Sequence, residues 1–312
     1  MPETIFSARN LTKQYSKTHK HHKFNALDKF HMEIHRGEIY GFVGENGAGK
    51  TTLMRILSGR TMRTSGEIEL FGCSDERELC IHRGRIGALI ETPALYPGMT
   101  ARDNLEVLRL QQGMTEIDCI ADVLKTVGLE NTASKKVKDF SLGMKQRLGL
   151  AMALLGNREF LVLDEPVNGL DPEGIVEFRE ILKRWNREHG TTILVSSHLL
   201  SELNQLATCY GFIHAGRMVE QISSEKLQEK CTTYLSIRVD DVQKAAAVLR
   251  KMFQELKLEI ITDHKVYIYG FSGDTGIIMK VLVTGDVNVK EMRVCSAGLE
   301  NYYISVIKGG KR

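Results

Sequence analysis

One stretch constrains the fold of this chain more than any other: Gly44-Glu45-Asn46-Gly47-Ala48-Gly49-Lys50-Thr51-Thr52. Before it, residues 39–43 are an apolar run typical of a buried strand, and after it, residues 53–57 are typical of the first turns of a helix. A strand, a glycine-rich loop that ends in Lys-Thr, and a helix together make the P-loop pattern. A chance glycine-rich turn is a poor alternative at this spacing. The sequence therefore predicts an α/β fold built around a phosphate site.

Each residue type in this loop has a chemical reason to be there. Gly44, Gly47 and Gly49 allow backbone N–H groups to turn toward a polyanion without a clash from Cβ. The helix N-terminus adds further donors and a partial positive charge. We expect the Lys50 side chain to reach the β- and γ-phosphates of ATP or GTP, and the Thr51 hydroxyl to take one coordination position of Mg²⁺.

Composition sets wider limits. The 312 residues are 42% hydrophobic and 26% charged, which is enough for one large domain and a small one. The net charge is only +3, from 42 basic and 39 acidic residues, so we expect no nucleic-acid partner. The six cysteines have no paired metal spacing and are expected to be thiols in a reducing compartment. No secretory signal and no bilayer-spanning apolar run are visible, so any membrane part is expected from other chains.

Two more buried strands are predicted to end in polar residues. Residues 160–163 are apolar and lead into Asp164 and Glu165, and residues 191–197 lead into His198. Ligands of α/β proteins bind at the carboxyl ends of parallel strands. We expect Asp164 to hold Mg²⁺ and Glu165 to orient or deprotonate the attacking water. His198 is expected to donate a hydrogen bond to the γ-phosphate, although a lone histidine in such a place is usually structural.

The segment before the P-loop is rich in predicted strands. Alternating apolar residues within residues 4–72 predict an antiparallel sheet beside the nucleotide core. Tyr15 could stack on the adenine face, or it could be an exposed loop residue. Residues 16–23 hold three histidines and four lysines, for which a solvated loop is a better interpretation than a metal site because no carboxylate or cysteine joins them.

Helical patterns follow in the middle of the chain. Thr100 and Asp103 have the spacing of a capping box, and roughly residues 100–156 are predicted to be a helical insertion. Asp171 and Pro172 predict another helix start, with the aspartate as N-cap and the proline at the first helical position.

The stretch Phe140-Ser141-Leu142-Gly143-Met144-Lys145-Gln146-Arg147 lies shortly before Asp164. With the motifs above, it gives a chain that resembles the ATP-binding-cassette (ABC) ATPases over about residues 3–220. Ser141 and Gly143 match the serine and the second glycine of the ABC signature, whereas Leu142 and Met144 depart from it.

The resemblance implies a fold and a set of roles. The fold is an α/β P-loop NTPase cassette with a RecA-like core, an antiparallel β-subdomain and a helical subdomain. In the family, Ser141 and Gly143 would contact the γ-phosphate in trans, so that two copies of the chain sandwich two ATP molecules. Asn168-Gly169-Leu170-Asp171 is similar to the D-loop, with Asp171 near nucleotide, while His198 resembles the switch histidine and Tyr15 the adenine-stacking aromatic residue.

Glu91 is the informative departure from the family pattern. It ends the strand predicted over residues 85–91, where the family usually has the Q-loop glutamine that contacts Mg²⁺ and the attacking water. A glutamate there could still bind Mg²⁺ and act in catalysis, but it adds a charge. The stretch from Glu91 to Pro97 resembles cassettes of bacitracin and lantibiotic resistance exporters.

The domain prediction is a cassette over residues 1–222 and a small C-terminal α+β domain over residues 223–312. In the second part we expect strands over residues 234–239 and 287–294, a strand or hairpin over residues 258–269, helices over residues 242–253 and 299–308, and a short helix or strand over residues 276–283. This part carries no catalytic motif, and dimer support and regulation remain open as its role.

The function predicted from these residues is the ATPase subunit of an ABC exporter, bound to membrane permease subunits at the cytoplasmic face of the cell membrane. A soluble ABC ATPase acting on ribosomes or DNA is the alternative. It is disfavoured because no heptad run separates the motifs and the chain has only one cassette. A module that uses ATP only as a switch is a weaker third hypothesis, which Glu91 keeps open.

Overall fold

The computed structural model describes residues 3–16, 23–116, 119–132, 134–198, 200–230, 233–253, 256–269, 271, 274–296, 302–303 and 306–307. Most of the His/Lys-rich segment and of the helix predicted over residues 299–308 lies outside this part. The chain divides into two compact units, Met1–Ser224 and Glu225–Arg312.

Among the described residues the first unit has nine strands and seven α-helices, and an eighth α-helix begins at its boundary with the second unit. The strands are β1 (Thr4–Ser16), β2 (Lys23–His35), β3 (Ile39–Val43), β4 (Ser65–Leu70), β5 (Ile86–Leu89), β6 (Phe160–Asp164), β7 (Thr192–Ser197), β8 (Cys209–His214) and β9 (Arg217–Ser223). The α-helices are α1 (Lys50–Leu57), α2 (Glu76–Arg83), α3 (Ala101–Gln111), α4 (Cys119–Thr126), α5 (Leu142–Leu154), α6 (Pro172–His189) and α7 (Leu200–Leu203), and the last, α8 (Ser224–Lys230), begins at the boundary and continues into the second unit.

Strands β3, β6 and β7 form the centre of a six-stranded sheet. Its order is β5-β6-β7-β3-β8-β9, and only the β8–β9 pair is antiparallel. Every residue of β3, β6 and β7 is buried, as expected for parallel strands that are covered on both faces. Burying each Val, Leu or Phe side chain is worth about 1.5–3 kcal/mol, which explains the continuous apolar runs in the sequence.

The register of this sheet places the ends of its central strands side by side. Val43 at the end of β3 lies opposite Ser197 of β7, and Asp164 at the end of β6 lies opposite Ser196 of the same strand. The P-loop after β3, the acidic pair after β6 and His198 after β7 therefore emerge at one edge of the sheet. This is the arrangement that the sequence predicts.

The antiparallel sheet predicted before and after the P-loop is also present. Its order is β2-β1-β4, and both pairs are antiparallel. Its buried face joins the core of the first unit through Phe6, Leu11, Phe30 and Ile68. The segment predicted as a helical insertion contains α3, α4 and α5, and α3 begins with the capping box of Thr100 and Asp103.

The second unit is an α+β sandwich. Its elements are β10 (Thr233–Val239), α9 (Val242–Met252), β11 (Lys257–Thr262), β12 (Lys265–Tyr269), α10 (Thr275–Thr284) and β13 (Val289–Ser296). The sheet has the order β11-β12-β10-β13 with every neighbouring pair antiparallel. Residues 258–269 thus contribute a hairpin of two strands, and residues 276–283 are helical. Both helices pack on one face of the sheet through a core that includes Leu235, Ile237, Leu249, Ile268 and Ile278.

An ion cluster joins three segments that lead into strands of the first unit. The Glu159 carboxylate, just before β6, accepts hydrogen bonds from Arg85 at 2.6 and 2.8 Å and from Arg36 at 3.0 Å. These guanidinium groups, with Arg85 contributing most, lower the pKa of Glu159 from 4.5 to about 2. Because the folded-state pKa is depressed, the stabilisation is present above pH 4.5 and is lost as the pH falls toward 2.

We therefore expect Glu159→Gln to lower the melting temperature at neutral pH, with a difference from wild type that vanishes near pH 2. The Glu159 side chain is 40% exposed, so solvent screening reduces the effect to about 1 kcal/mol, or roughly 2–4 °C. Melting curves between pH 7 and pH 2 measure this. Glu188→Gln, at an exposed position of α6, is the matched control and should not change the pH profile. If the melting temperature of Glu159→Gln were lower than that of the wild type by the same amount at every pH, the link between the Glu159 pKa and stability would be contradicted.

Candidate functional site

The P-loop has the backbone that its glycines predict. Helix α1 begins at Lys50, and its N-cap Gly49 has a φ of +117°, while Gly47 has a φ of +82°. Both values lie in the region that favours glycine. Gly44 is needed for space rather than conformation, since a Cβ there would lie 2.6 Å from Cγ2 of Ile213 and 2.7 Å from its carbonyl oxygen. The loop therefore packs closely against Ile213 of the core and leads directly into the N-terminus of α1.

The Lys50 ammonium is anchored at three oxygens. It donates to the carbonyl oxygen of Gly44 at 2.6 Å and to that of Glu45 at 3.3 Å, and it lies 3.3 Å from Oε1 of Glu165. The side chain is only 5% exposed. A buried cation needs such partners, and they fix its charge inside the loop where phosphates of a nucleotide would lie.

Ser196 connects the two acidic residues after β6, and sequence reasoning missed it. Its hydroxyl donates to Oδ1 of Asp164 at 2.6 Å and accepts from the backbone N–H of Glu165 at 2.9 Å. Ser196 is fully buried and Asp164 is 6% exposed. The hydroxyl therefore orients the Asp164 carboxylate and fixes the backbone at Glu165. The register between β6 and β7 is the only signal that reveals this contact.

Glu165 and His198 form the centre of the site. Nδ1 of His198 lies 2.9 Å from Oε2 of Glu165, while Oε1 of the same carboxylate faces Lys50. Glu165 has a φ of +47°, an uncommon conformation for a non-glycine residue that costs roughly 1–3 kcal/mol. Three strand ends thus bring a cation, a carboxylate and an imidazole together. A carboxylate in this setting can accept a proton from water.

A cleft of about 220 Å³ opens beside these residues. Its lining comprises Tyr15, Phe24, Ala26, Asn46, Gly47, Gly49, Lys50, Thr51, Thr52 and Glu165. The predicted residue Tyr15 lines it together with Phe24, with ring centroids 5.9 Å apart. Phe24 could not be found from sequence, because it meets Tyr15 through the pairing of β1 with β2. The cleft thus combines an aromatic pair and a cation, which match a base and its phosphates.

Glu91 is not among the residues that line the cleft. Its carboxylate forms an ion pair with Arg55 of α1, and both side chains are partly exposed. Glu91 has a φ of +62°, so the loop after β5 turns through a left-handed conformation at this residue. The Glu91 carboxylate is therefore held at α1 by Arg55.

Ser141, Gly143 and Asp171 lie apart from the lining of this cleft. Ser141 is the N-cap of α5 and accepts a hydrogen bond from the backbone N–H of Met144 at 3.2 Å. Asp171 is the predicted N-cap of α6 and accepts from the N–H of Gly174 at 3.0 Å. A Cβ on Gly143 would lie 3.6 Å from Cδ2 of Leu170, so the two helix starts are neighbours. None of the three residues is among those that line the P-loop cleft of the same chain.

The geometry agrees with comparisons to known proteins. The family model described as "ABC transporter" matches residues 27–168. The bacitracin transport ATP-binding protein BcrA of Bacillus licheniformis is 38% identical over 310 residues, which cover 98% of each chain. The chain belongs to the ABC transporter ATP-binding family. The predicted fold, a P-loop ABC cassette, is thereby confirmed. The prediction that this ABC ATPase hydrolyses ATP is confirmed as well.

Other matches cover 72% or 70% of this chain. The lantibiotic transport ATP-binding protein SrtF of Streptococcus pyogenes is 44% identical over 229 residues, or 72% of this chain and 95% of its own length. Among solved structures, the ATP-binding cassette MJ0796 in a dimeric post-hydrolysis state with ADP and Pi has a TM-score of 0.64 at 26% identity, covering 70% of this ABC chain and 98% of that chain. No helix in the described ranges is long and apolar enough to cross a membrane.

Proposed function

We propose that this ABC ATPase is the energy-supplying subunit of an exporter, in which two copies dock on separate membrane permease subunits at the cytoplasmic face of the membrane. One observation carries the proposal: the similarity to a bacitracin transport ATP-binding protein extends over 98% of both chains and so includes the second unit. The relatives named for bacitracin and lantibiotic transport favour antimicrobial-peptide export or immunity as the cargo class.

We propose ATP and Mg²⁺ as the cofactors. Thr51 lines the cleft, and Asp164 is buried with its carboxylate oriented by Ser196, so hydroxyl and carboxylate oxygens suitable for a hard cation are available. When bound, Mg²⁺ would supply positive charge that neutralises the phosphate oxygens. Tyr15 and Phe24 would hold the base, and the P-loop residues 44–52 would hold the phosphates.

Glu165 is our candidate general base. Its carboxylate lies between Lys50 and His198, so one oxygen faces the expected phosphate side while the other is oriented by the imidazole. We propose that Glu165 accepts a proton from the attacking water and that His198 holds Glu165 and the γ-phosphate in place. Ser141, Gly143 and Asp171 would complete the site from a second copy, because their helix starts do not line the cleft of their own chain.

For Glu91, a role in catalysis or Mg²⁺ binding requires that the ion pair with Arg55 opens first. The two side chains are 57% and 39% exposed, and a pair this exposed contributes little to stability. We propose that closure of the dimer or docking of a permease releases Glu91 toward the nucleotide. Coupling between the permease and ATP hydrolysis would then depend on this residue.

A cavity of about 290 Å³ directly behind the Glu91 loop is our candidate permease site. It lies between β5 and the helices α3 and α5, and the loop residues Thr92, Pro93 and Ala94 form one wall. Arg60, Arg83 and Arg158 also line it. Burial lowers the pKa of Arg158, whose guanidinium donates to neutral oxygens of Leu155, Gly84 and Gln112. A cationic cavity of this kind favours a permease segment with acidic side chains.

The test is membrane fractionation of the tagged native chain, followed by a pull-down in gentle detergent. We expect a polytopic membrane protein to co-purify with the wild type, and Arg60→Glu to reduce its recovery at least about 10-fold through charge repulsion. Arg187→Glu, on an exposed position of α6, is the matched control and should retain the partner. Recovery of the wild type with ribosomes or DNA instead would contradict the transporter function, whereas full recovery with Arg60→Glu would contradict only the docking site.

A further inference from the structure

The sheet of the second unit has a second face that the two helices do not cover. Alternation along β10 and β12 turns Leu235, Ile237, Val266 and Ile268 into the core, where each is at most 3% exposed. The residues between them therefore point to the opposite face. On that face β10 contributes Tyr234, Ser236 and Arg238, and β12 contributes Lys265, Tyr267 and Tyr269.

Three tyrosine rings form the centre of this second face. The ring centroids of Tyr234 and Tyr267 are 4.4 Å apart, those of Tyr234 and Tyr269 are 5.6 Å apart, and those of Tyr267 and Tyr269 are 6.5 Å apart. All three side chains are partly exposed. β10 and β12 are the two central strands of the sheet, so the rings lie in the middle of the face and not at an edge.

Cations surround the rings. The Lys265 ammonium lies 5.3 Å from the Tyr267 ring centroid, and the Lys257 ammonium lies 5.8 Å from that of Tyr269. Arg238 and Arg293 lie on the same face, where both pair with Glu291, and Glu259 accepts a hydrogen bond from the Tyr269 hydroxyl at 2.7 Å. The face thus carries four cations and two carboxylates. This local excess of positive charge is not visible in the near-balanced net charge of the whole chain.

We propose that this face binds a nucleobase together with its phosphate. Four-stranded sheets that bind RNA stack bases on aromatic residues of their two central strands. In the RNP1 pattern of such sheets a basic first position is followed by aromatic third and fifth positions, and Lys265-Val266-Tyr267-Ile268-Tyr269 has all three. Tyr234 provides the ring on the neighbouring strand. Val266 and Ile268 replace the small residues of the second and fourth positions, but both point into the core and leave the exposed face unchanged. The match is confined to these five positions, since Gly270 and Ser272 stand at the sixth and eighth positions of the pattern.

The rings and the cations have separate tasks in this proposal. Every base has a π-face, so stacking on Tyr234 and Tyr267 does not depend on which base is present. Lys257 and Lys265 are flexible side chains that can move from the rings to a phosphate when a base takes their place. The same chemistry fits a single-stranded RNA or a free nucleotide. Either ligand would bind outside the ATP cleft of the first unit.

The experiment measures fluorescence anisotropy of a labelled oligouridylate with a 5′-hydroxyl end, with the purified full-length chain at low salt. We expect Tyr267→Leu to weaken binding about 5- to 150-fold and Tyr267→Phe to preserve it, since only the ring is needed. Lys265→Gln should remove about one phosphate contact. The slope of the logarithm of the binding constant against the logarithm of the salt concentration should therefore become shallower by roughly 0.7. Tyr96→Leu, at an exposed tyrosine of the first unit, should bind as wild type does.

Competition with unlabelled UMP and AMP distinguishes a free nucleotide from single-stranded RNA as the ligand. Displacement by a mononucleotide at the affinity of the oligomer would identify a free nucleotide as the ligand, whereas a large gain with oligomer length would identify single-stranded RNA. The proposal is overturned if neither probe binds, or if Tyr267→Leu, shown to be folded by its melting curve, binds as wild type does. If Tyr267→Leu does not fold, Lys265→Gln becomes the test. The proposal then requires that this variant lower the salt dependence of binding.

Discussion

Glu165→Gln is expected to bind ATP close to wild-type affinity and to hydrolyse it at least about 100-fold more slowly, since general-base catalysis contributes about 10²–10⁴-fold. The amide keeps an oxygen that can face His198, which lies 2.9 Å from Oε2 in the wild type, so the fold of the site should be preserved. It cannot take a proton from water. The chemical step should therefore fail while nucleotide binding persists, and ATP should trap a closed dimer.

Single-turnover hydrolysis, equilibrium ATP binding and the mass of the ATP-bound species measure these three properties. Glu188→Gln is the matched control because it makes the same chemical change on an exposed part of α6, and it should retain wild-type turnover. The decisive measurement is made in the assembled complex with the permease. Hydrolysis by Glu165→Gln at the wild-type rate there would show that Glu165 is not the base.

Much of the cassette could be predicted because its signals are local. The P-loop glycines, the apolar run of β6 before Asp164, and the helix caps Thr100 and Asp171 each depend on neighbours within a few residues. Buried parallel strands also need continuous apolar runs, so their ends could be found from sequence. Placing those ends at one sheet edge then follows from the rule for parallel sheets.

The contacts missed by sequence reasoning depend on strand pairing. Ser196 reaches Asp164 because β7 lies beside β6, and Phe24 reaches Tyr15 because β2 folds back on β1. Neither register can be read from one strand alone. The Arg55–Glu91 ion pair likewise joins residues 36 positions apart, so the orientation of Glu91 could not be predicted from its motif.

The second unit shows the same limit more strongly. Most of its elements could be placed from sequence, although residues 258–269 stayed open between a strand and a hairpin and residues 276–283 between a helix and a strand. The aromatic cluster also requires the order β11-β12-β10-β13, which brings Tyr234 next to Tyr267 and Tyr269. From sequence alone, those tyrosines are ordinary residues of two strands. Functional surfaces on a sheet depend on which strands become neighbours, and hydrophobic alternation does not determine that order.

Gly49→Ala is expected to be the most destabilising single-methyl change in the P-loop. The added Cβ would lie 2.5 Å from the carbonyl oxygen of Ala26 and 3.0 Å from Cδ2 of Leu27, and the residue has a φ of +117°. Backbone strain costs about 1–3 kcal/mol and overpacking about 1–3 kcal/mol more. The melting temperature of the first unit should therefore fall by roughly 10 °C, at about 2–4 °C per kcal/mol, and ATP binding should be lost.

Gly47→Ala separates the two causes of that loss. Gly47 also has a positive φ, of +82°, but a Cβ there meets nothing within 4 Å among the described residues. The substitution should therefore cost only the left-handed strain, about 1–2 kcal/mol, and lower the melting temperature by a few degrees. Melting curves without nucleotide measure both variants. Equal losses would show that backbone conformation alone fixes the loop, whereas a much larger loss at Gly49 would show that the antiparallel sheet holds the P-loop in place through Ala26.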